Sequence, residues 1–275
     1  MKYLLLGTLV LLTACSTKQN DEKHWIKPES TTLSCDHYFS HSSELGVLIN
    51  NVWNKNAAHD KPWSQCIEQR VVDKQIQQGW SWSWPSDQSV IYAYPQIRIG
   101  ASPWAPEPKY NADFPLQIAQ LSELTISHEL EIDTNGEHNT ATSMWLMDEP
   151  YQGITANKSV IAAEVMIWTY ETSGHFNPAG RKHSEIKIGG QVWEVWYKSS
   201  WYDMSGEHDN RWAYLAFRAK QSSMKATIPA LQLLNYAIDN NLLANNLYIA
   251  DIELGNEVMK GSGITWVKNF EVSYQ

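Results

Sequence analysis

The sequence predicts an all-β protein, a sandwich of antiparallel sheets carrying one short helix. Three observations lead there. From Cys35 onward the chain is a string of short alternating or apolar runs broken by Gly, Pro, Asn and Asp. A single stretch has helical spacing, and strands never alternate with helices as a parallel sheet would require. At 275 residues, the chain suits one domain of this class.

The elements follow in order. Residues 1–14 read as an export signal: Lys2 is the charged start, Tyr3 to Leu12 a short apolar core, and Thr13-Ala14 the small residues before Cys15. That core is too short to remain as a membrane-spanning helix. Leu12-Thr13-Ala14-Cys15 resembles the lipobox of bacterial lipoproteins, which implies cleavage before Cys15 and a lipid on its thiol. A plain secretory signal is the alternative. Ser16, where an aspartate could stand, points to the outer membrane, so the protein is expected to be exported and lipid-anchored, facing the periplasm or the cell surface. Residues 15–34 read as the acylated cysteine and a polar tether, with Trp25 unexplained, and 35–275 as the domain. Strands are expected over Val47–Trp53, Val90–Tyr94, Ile161–Tyr170, Val192–Tyr197 and Trp212–Phe217. The helix is expected with Thr227 as cap, Pro229 near its first turn, Leu231, Leu234 and Ile238 on one face, and Asn240-Asn241 closing it.

Composition narrows the partners. Lys plus Arg number 21 against 30 Asp plus Glu, a net charge of −9; without Lys2 of the signal, 20 against 30 gives −10. Such a surface repels phosphate backbones and excludes nucleic acid as a partner, but it accepts a neutral polymer. There are 14 Trp and 13 Tyr beside only 5 Phe. Indoles and phenols join a flat apolar face to a polar edge, which suits stacking on sugar rings at a half-wet surface. The nine His residues lack any His-Glu-x-x-His spacing, so a catalytic zinc is not expected. No Gly-x-Ser-x-Gly elbow or phosphate-cradling loop occurs. Cys35 and Cys66 remain; in an oxidising compartment a disulfide is expected, two separate buried thiols being the alternative.

Two segments carry acids in an unusual setting. Read as a strand, Ala163 to Tyr170 puts Glu164, Met166, Trp168 and Tyr170 on one face and Val165, Ile167 and Thr169 on the other. The second face suits an inter-sheet layer. The first is odd for solvent and sensible as the floor of a sugar-binding cleft. In Leu247 to Gly263, Asp251, Glu253 and Glu257 share parity while Ala250, Ile252 and Leu254 take the other face. Gly255 permits a bulge or close approach just before Glu257.

Five stretches, in order, resemble glycoside hydrolase family 12: Asn50-Asn-Val-Trp53, Gly79-Trp-Ser-Trp-Ser-Trp-Pro85, Tyr94-Pro-Gln96, Glu164-Val-Met-Ile-Trp168 and Gly255-Asn-Glu257 with Gly261 beyond. Cys35 and Cys66 match the family's early disulfide, and Asn177-Pro-Ala-Gly180 its loop over the cleft. The resemblance covers about residues 35 to 275. It implies a β-jelly-roll of two curved sheets, with Glu164 as nucleophile and Glu257 as acid/base. Asn51 and Trp53 would form a subsite on the non-reducing side, with Met166 and Trp168 beside the nucleophile. Trp82, Tyr94 and Gln96, from the other motifs, join the expected substrate-binding residues. One departure stands out. Where the family has an aspartate bonded to the nucleophile, this chain has Ser143, and nearby Asp148 is out of register for the role.

The implied chemistry needs two carboxyl groups about 5–5.5 Å apart, one ionised to attack the anomeric carbon and one protonated to release the leaving oxygen. No metal or organic cofactor takes part. The expected activity is endo-hydrolysis of β-1,4-glucosidic bonds in cellulose-type or mixed-linkage glucans by a monomer. A xyloglucan-specific enzyme is the nearest alternative, and a non-catalytic glycan-binding lipoprotein the more distant one.

Overall fold

A computed structural model of the chain describes residues 25–104, 111, 113–150, 160–204, 206 and 209–275. The expected signal and Cys15, the expected site of the lipid, lie outside these residues. Two sheets are stacked. The outer one contains β1 (Thr31–Ser34), β4 (Ser64–Val72), β5 (Gln75–Trp84), β8 (Leu124–Thr134), β14 (Lys225–Ile228) and β16 (Val258–Tyr274), in the order β1-β4-β5-β16-β8-β14. The inner sheet contains β2 (Ser40–Ser42), β3 (Val47–Ile49), β6 (Gln96–Gly100), β7 (Leu116–Gln117), β9 (Glu137–Met147), β10 (Ile161–Glu171), β11 (Arg181–Ile188), β12 (Gln191–Tyr202), β13 (Arg211–Ala219) and β15 (Tyr248–Gly255). Its order is β2-β3-β6-β15-β9-β10-β13-β12-β11, with β7 on one end of β15. The start of β16 also pairs with β9, so the two sheets join there. This is the curled jelly roll that the motifs imply.

Local chemistry sets the turns. Asp73 and Lys74, both at positive φ, close the β4–β5 hairpin, and Gly189-Gly190, also at positive φ, closes β11–β12. Strand alternation then fills the layer between the sheets. Ala163, Val165 and Ile167 of β10 meet Trp80, Trp82 and Trp84 of β5, with Leu130 of β8, in one continuous core. The helix α1 (Ala230–Asp239) buries Leu231, Leu233 and Leu234 against the same core.

Several expectations change. The strand from Val47 stops at Ile49 because the buried Asn50 side chain donates to the carbonyls of Asp36 and Gln65, which turns the chain. Val90–Tyr94 is not a strand. Only Ala93 bridges to Val258, and Tyr94 N–H goes to Asn51 on the opposite side, so the segment links two neighbours without a continuous ladder. Thr227 lies in β14, and Pro229 takes the cap position of α1. One inner-sheet pairing is parallel, β10 with β13, because β13 returns through β12 to lie beside β10.

The residues expected as the end of a tether enter the outer sheet. Thr31–Ser34 pair with β4. The wholly buried carboxylate of Glu68 there accepts from Lys27 Nζ at 2.5 Å, Ser30 Oγ at 2.9 Å and Ser81 Oγ at 2.7 Å, with Thr32 also in range. Trp25 Nε1 donates to Asp133 at 3.3 Å on the same sheet. Cys35 and Cys66 are joined by a disulfide.

Candidate active site

The inner sheet holds a cleft of about 860 Å³. Its floor comes from alternate residues of four adjacent strands, because every second side chain of a strand shares a face. Glu164, Met166 and Trp168 stand on β10, Ser143 and Trp145 on β9, Glu253 on β15, and Trp212 and Tyr214 on β13. Tyr170, expected in line with Glu164, instead packs against the His138 imidazole, centroids 5.6 Å apart, after a register shift between Trp168 and Tyr170.

Glu164 pairs with Trp145 on one side and Tyr214 on the other. Trp212 Nε1 donates to its Oε2 at 3.1 Å. Trp104, Trp145 and Trp212 meet edge to face, centroids 5.1–5.4 Å apart, and close a wall of indoles beside this carboxyl. Burial pushes the Glu164 carboxyl up to about 7, and the Trp212 bond opposes that rise.

Glu257 lies in the break between β15 and β16, and every neighbouring residue of its motif has a structural task. Gly255 runs so close to Pro95 that a Cβ would sit 2.5 Å from its carbonyl oxygen. The buried Asn256 side chain accepts from Trp80 Nε1 at 2.9 Å and Thr265 Oγ1 at 2.8 Å, and donates to the Asn139 carbonyl at 2.8 Å. Asn139 in turn binds Glu257: its amide donates to Oε2, and its Oδ1 accepts the Glu257 backbone N–H at 2.9 Å. The break is therefore tied to both sheets, and the Glu257 carboxyl projects into the cleft. Burial first, then the charge of Glu164, push it up to about 8, against the Asn139 bond.

The other expected site residues are placed as follows. Asn51, Trp53, Tyr94, Gln96, Met166 and Trp168 all line the cleft. Asn51 Nδ2 donates to Gln96 Oε1 at 3.1 Å, and Tyr94 Oη donates to the Ala141 carbonyl at 2.8 Å. Phe176, Asn177 and Ala179 bring the Asn177–Gly180 loop to the same cavity. Trp82 does not reach it. It belongs to the outer sheet, where alternation turns it inward beside His138, and it is 1% exposed. Asp148 is exposed and stands outside the cleft, while Ser143 lines it. Sequence reasoning missed Trp145, Trp212, Tyr214, Arg98 and the cleft position of Glu253. For Trp212 and Tyr214 a signal existed, since both share parity on an expected strand.

Residues 46–275 match the family model described as glycosyl hydrolase family 12. The chain belongs to glycosyl hydrolase family 12. This family 12 chain is 22% identical over 233 residues to xyloglucan-specific endo-β-1,4-glucanase A of Emericella nidulans, covering 82% of this chain and 84% of that protein. It is 23% identical over 253 residues to endoglucanase A of Aspergillus kawachii, covering 87% and 91%. Among solved structures, the native family 12 xyloglucanase from Bacillus licheniformis matches with a TM-score of 0.72 and 26% identity, over 90% of this chain and 100% of that one. Membership makes the chain a glycoside hydrolase, which sets aside the reading as a binder without catalysis.

Proposed function

We propose that the chain is an endo-acting retaining hydrolase of β-1,4-glucans, with Glu164 as nucleophile and Glu257 as acid/base. The observation that carries this reading is the placement of both carboxyls, Glu164 and Glu257, in one cleft lined with indoles. Burial raises both, to about 7 and about 8, and the charge of Glu164 adds to the rise at Glu257, so that an ionised Glu164 keeps its neighbour protonated. Near neutral pH the pair thus holds one anion for attack and one acid for the leaving oxygen. After attack the Glu164 charge is consumed in an ester. Glu257 then becomes more acidic and can take a proton from the incoming water. Asn51, Trp53, Gln96 and Trp168 would seat the glucan chain along the floor.

A xyloglucan backbone is a second reading. Two relatives carry that activity in their names, and they match over most of this chain. The cell location belongs with the proposal too. The Leu12-Thr13-Ala14-Cys15 motif supports a lipid anchor on an exported protein. The deciding experiment is Glu164→Ala and Glu257→Ala assayed on barley glucan, carboxymethylcellulose and xyloglucan, with NMR of the first anomer released. Loss of turnover in both, a β-anomer from wild type, and azide rescue of Glu164→Ala with inverted product are expected. Near-wild-type activity in either variant would overturn the assignment.

A further inference from the structure

Glu253 is an acid that the proposed chemistry leaves unused, yet it lines the cleft and is only 4% exposed. On β15 it pairs with Ser143 of β9, and Ser143 pairs with Met166 of β10, two residues along from Glu164 on the same face. On the intervening strand β9, then, the short Ser143 side chain stands beside Glu253, and Trp145, two residues along, stands beside Glu164. On its other side Glu253 pairs with Arg98 of β6 and accepts a hydrogen bond from Gln96, whose Oε1 holds Asn51. Asn51, Gln96 and Glu253 therefore form one polar line across the floor, and the charge of Glu164 is felt at its end. The charged or titratable groups facing Glu253 are Arg98 from β6, Asp251 from its own strand, Glu164 from β10, and Tyr94, which also faces Glu257. Burial, then Asp251, hold the Glu253 carboxyl well above the usual carboxylate range, while Arg98 and Gln96 oppose them.

We propose that Glu253 is a positioning residue for hydrolysis, a buried side chain fixed by Gln96 and Arg98 that donates a hydrogen bond toward the Glu164 carboxylate past Ser143. A neutral acid supports the anion without repelling it, which an ionised one at the same place could not do. The proposal rests on Glu164 being the nucleophile.

Two variants test it. Glu253→Leu removes the donor, and Glu253→Gln keeps a donor of the same shape that cannot ionise. For Glu253→Leu, kcat on a soluble β-glucan is expected to fall roughly 10- to 100-fold with KM changed less than about threefold, the signature of a lost hydrogen bond to an anion. The acid limb of the pH profile moves to higher pH, and so does the Glu164 midpoint followed by carbon-13 NMR of labelled glutamate carboxyls. Glu253→Gln restores kcat to within about fivefold of wild type, with the limb unmoved. An unmoved limb and midpoint in folded Glu253→Leu overturns the proposal. So does a limb moved to lower pH in Glu253→Gln, which reports an ionised Glu253 and decides the matter even where the leucine variant does not fold. Activity persisting in Glu164→Ala would instead sink the nucleophile assignment, so the two failures are distinct.

Discussion

Asn139 holds Glu257 at two points, its amide on the carboxylate and its carbonyl oxygen on the backbone N–H at 2.9 Å. The first contact favours the ionised form of Glu257 and the second fixes the turn that aims it. Asn139→Leu should therefore raise the Glu257 pKa above about 8 and move the alkaline limb of the activity profile to higher pH. Loss of aim should lower kcat by roughly 10- to 100-fold. A pH–rate profile of the purified variant checks both.

Trp212 supplies a side-chain hydrogen bond that opposes the burial of Glu164. Trp212→Phe keeps the aromatic packing with Trp104 and Trp145 but removes the donor. The Glu164 pKa should rise, the acid limb should shift to higher pH, and kcat at pH 6 should fall about tenfold. A limb that stays in place would detach Trp212 from the nucleophile.

Wild type should show a bell-shaped profile with its optimum between the values of about 7 and about 8 held by the two acids. Stability carries the same sign. Both folded values lie above the ordinary 4.5, so the folded state holds extra protons; stability is full at acid pH and is lost as pH rises through about 7 and 8. Glu257→Gln should thus melt with wild type at pH 4 and above it at pH 9, by at least the roughly 2–4 °C that 1 kcal/mol represents in a chain of this size. Calorimetry at the two pH values decides it.

Trp82 and Trp53 separate stacking from packing. Trp82, buried between the sheets, should lose about 1–2 kcal/mol of stability as Trp82→Phe and leave KM unchanged. Trp53, on the cleft wall, should raise KM roughly three- to tenfold as Trp53→Ala. Chemical denaturation alongside initial-rate kinetics on barley glucan distinguishes them.

The disulfide joins Cys35 and Cys66 across a sequence separation of 31. Replacing both with serine should cost about 3–4 kcal/mol on the chain-entropy account. Reductant should reproduce that loss in wild type and change nothing in the double variant.

Which of these features could be read in the sequence follows from how local they are. The parity of Glu164, Met166 and Trp168 is a property of one strand, so it was legible. The two-sidedness of β10, with Val165 and Ile167 in the core, was legible for the same reason. Trp82 was misplaced because alternation says that a residue faces one side, not which sheet the strand joins. Val90–Tyr94 has strand composition but serves two different neighbours through backbone bonds to Asn51 and Val258. The cleft role of Glu253 depends on which strands flank β15, and those pairings, to β6 and β9, link residues more than a hundred positions apart. Trp212 reaches Glu164 through the parallel β10–β13 pairing, another long-range choice that no local pattern encodes.

The Glu68 clamp on the outer sheet sets where this enzyme can be shortened. A fragment beginning at residue 46, where the family match begins, lacks Lys27, Ser30 and Thr32 and leaves the buried Glu68 carboxylate with Ser81 as its remaining side-chain donor. Stripping partners from a buried charge costs about 3–5 kcal/mol. The same cut discards Cys35 and leaves Cys66 as a free thiol. Residues that touch nothing in the cleft therefore bear on the smallest stable fragment, and a shortened form cut ahead of Lys27 should keep the clamp whole.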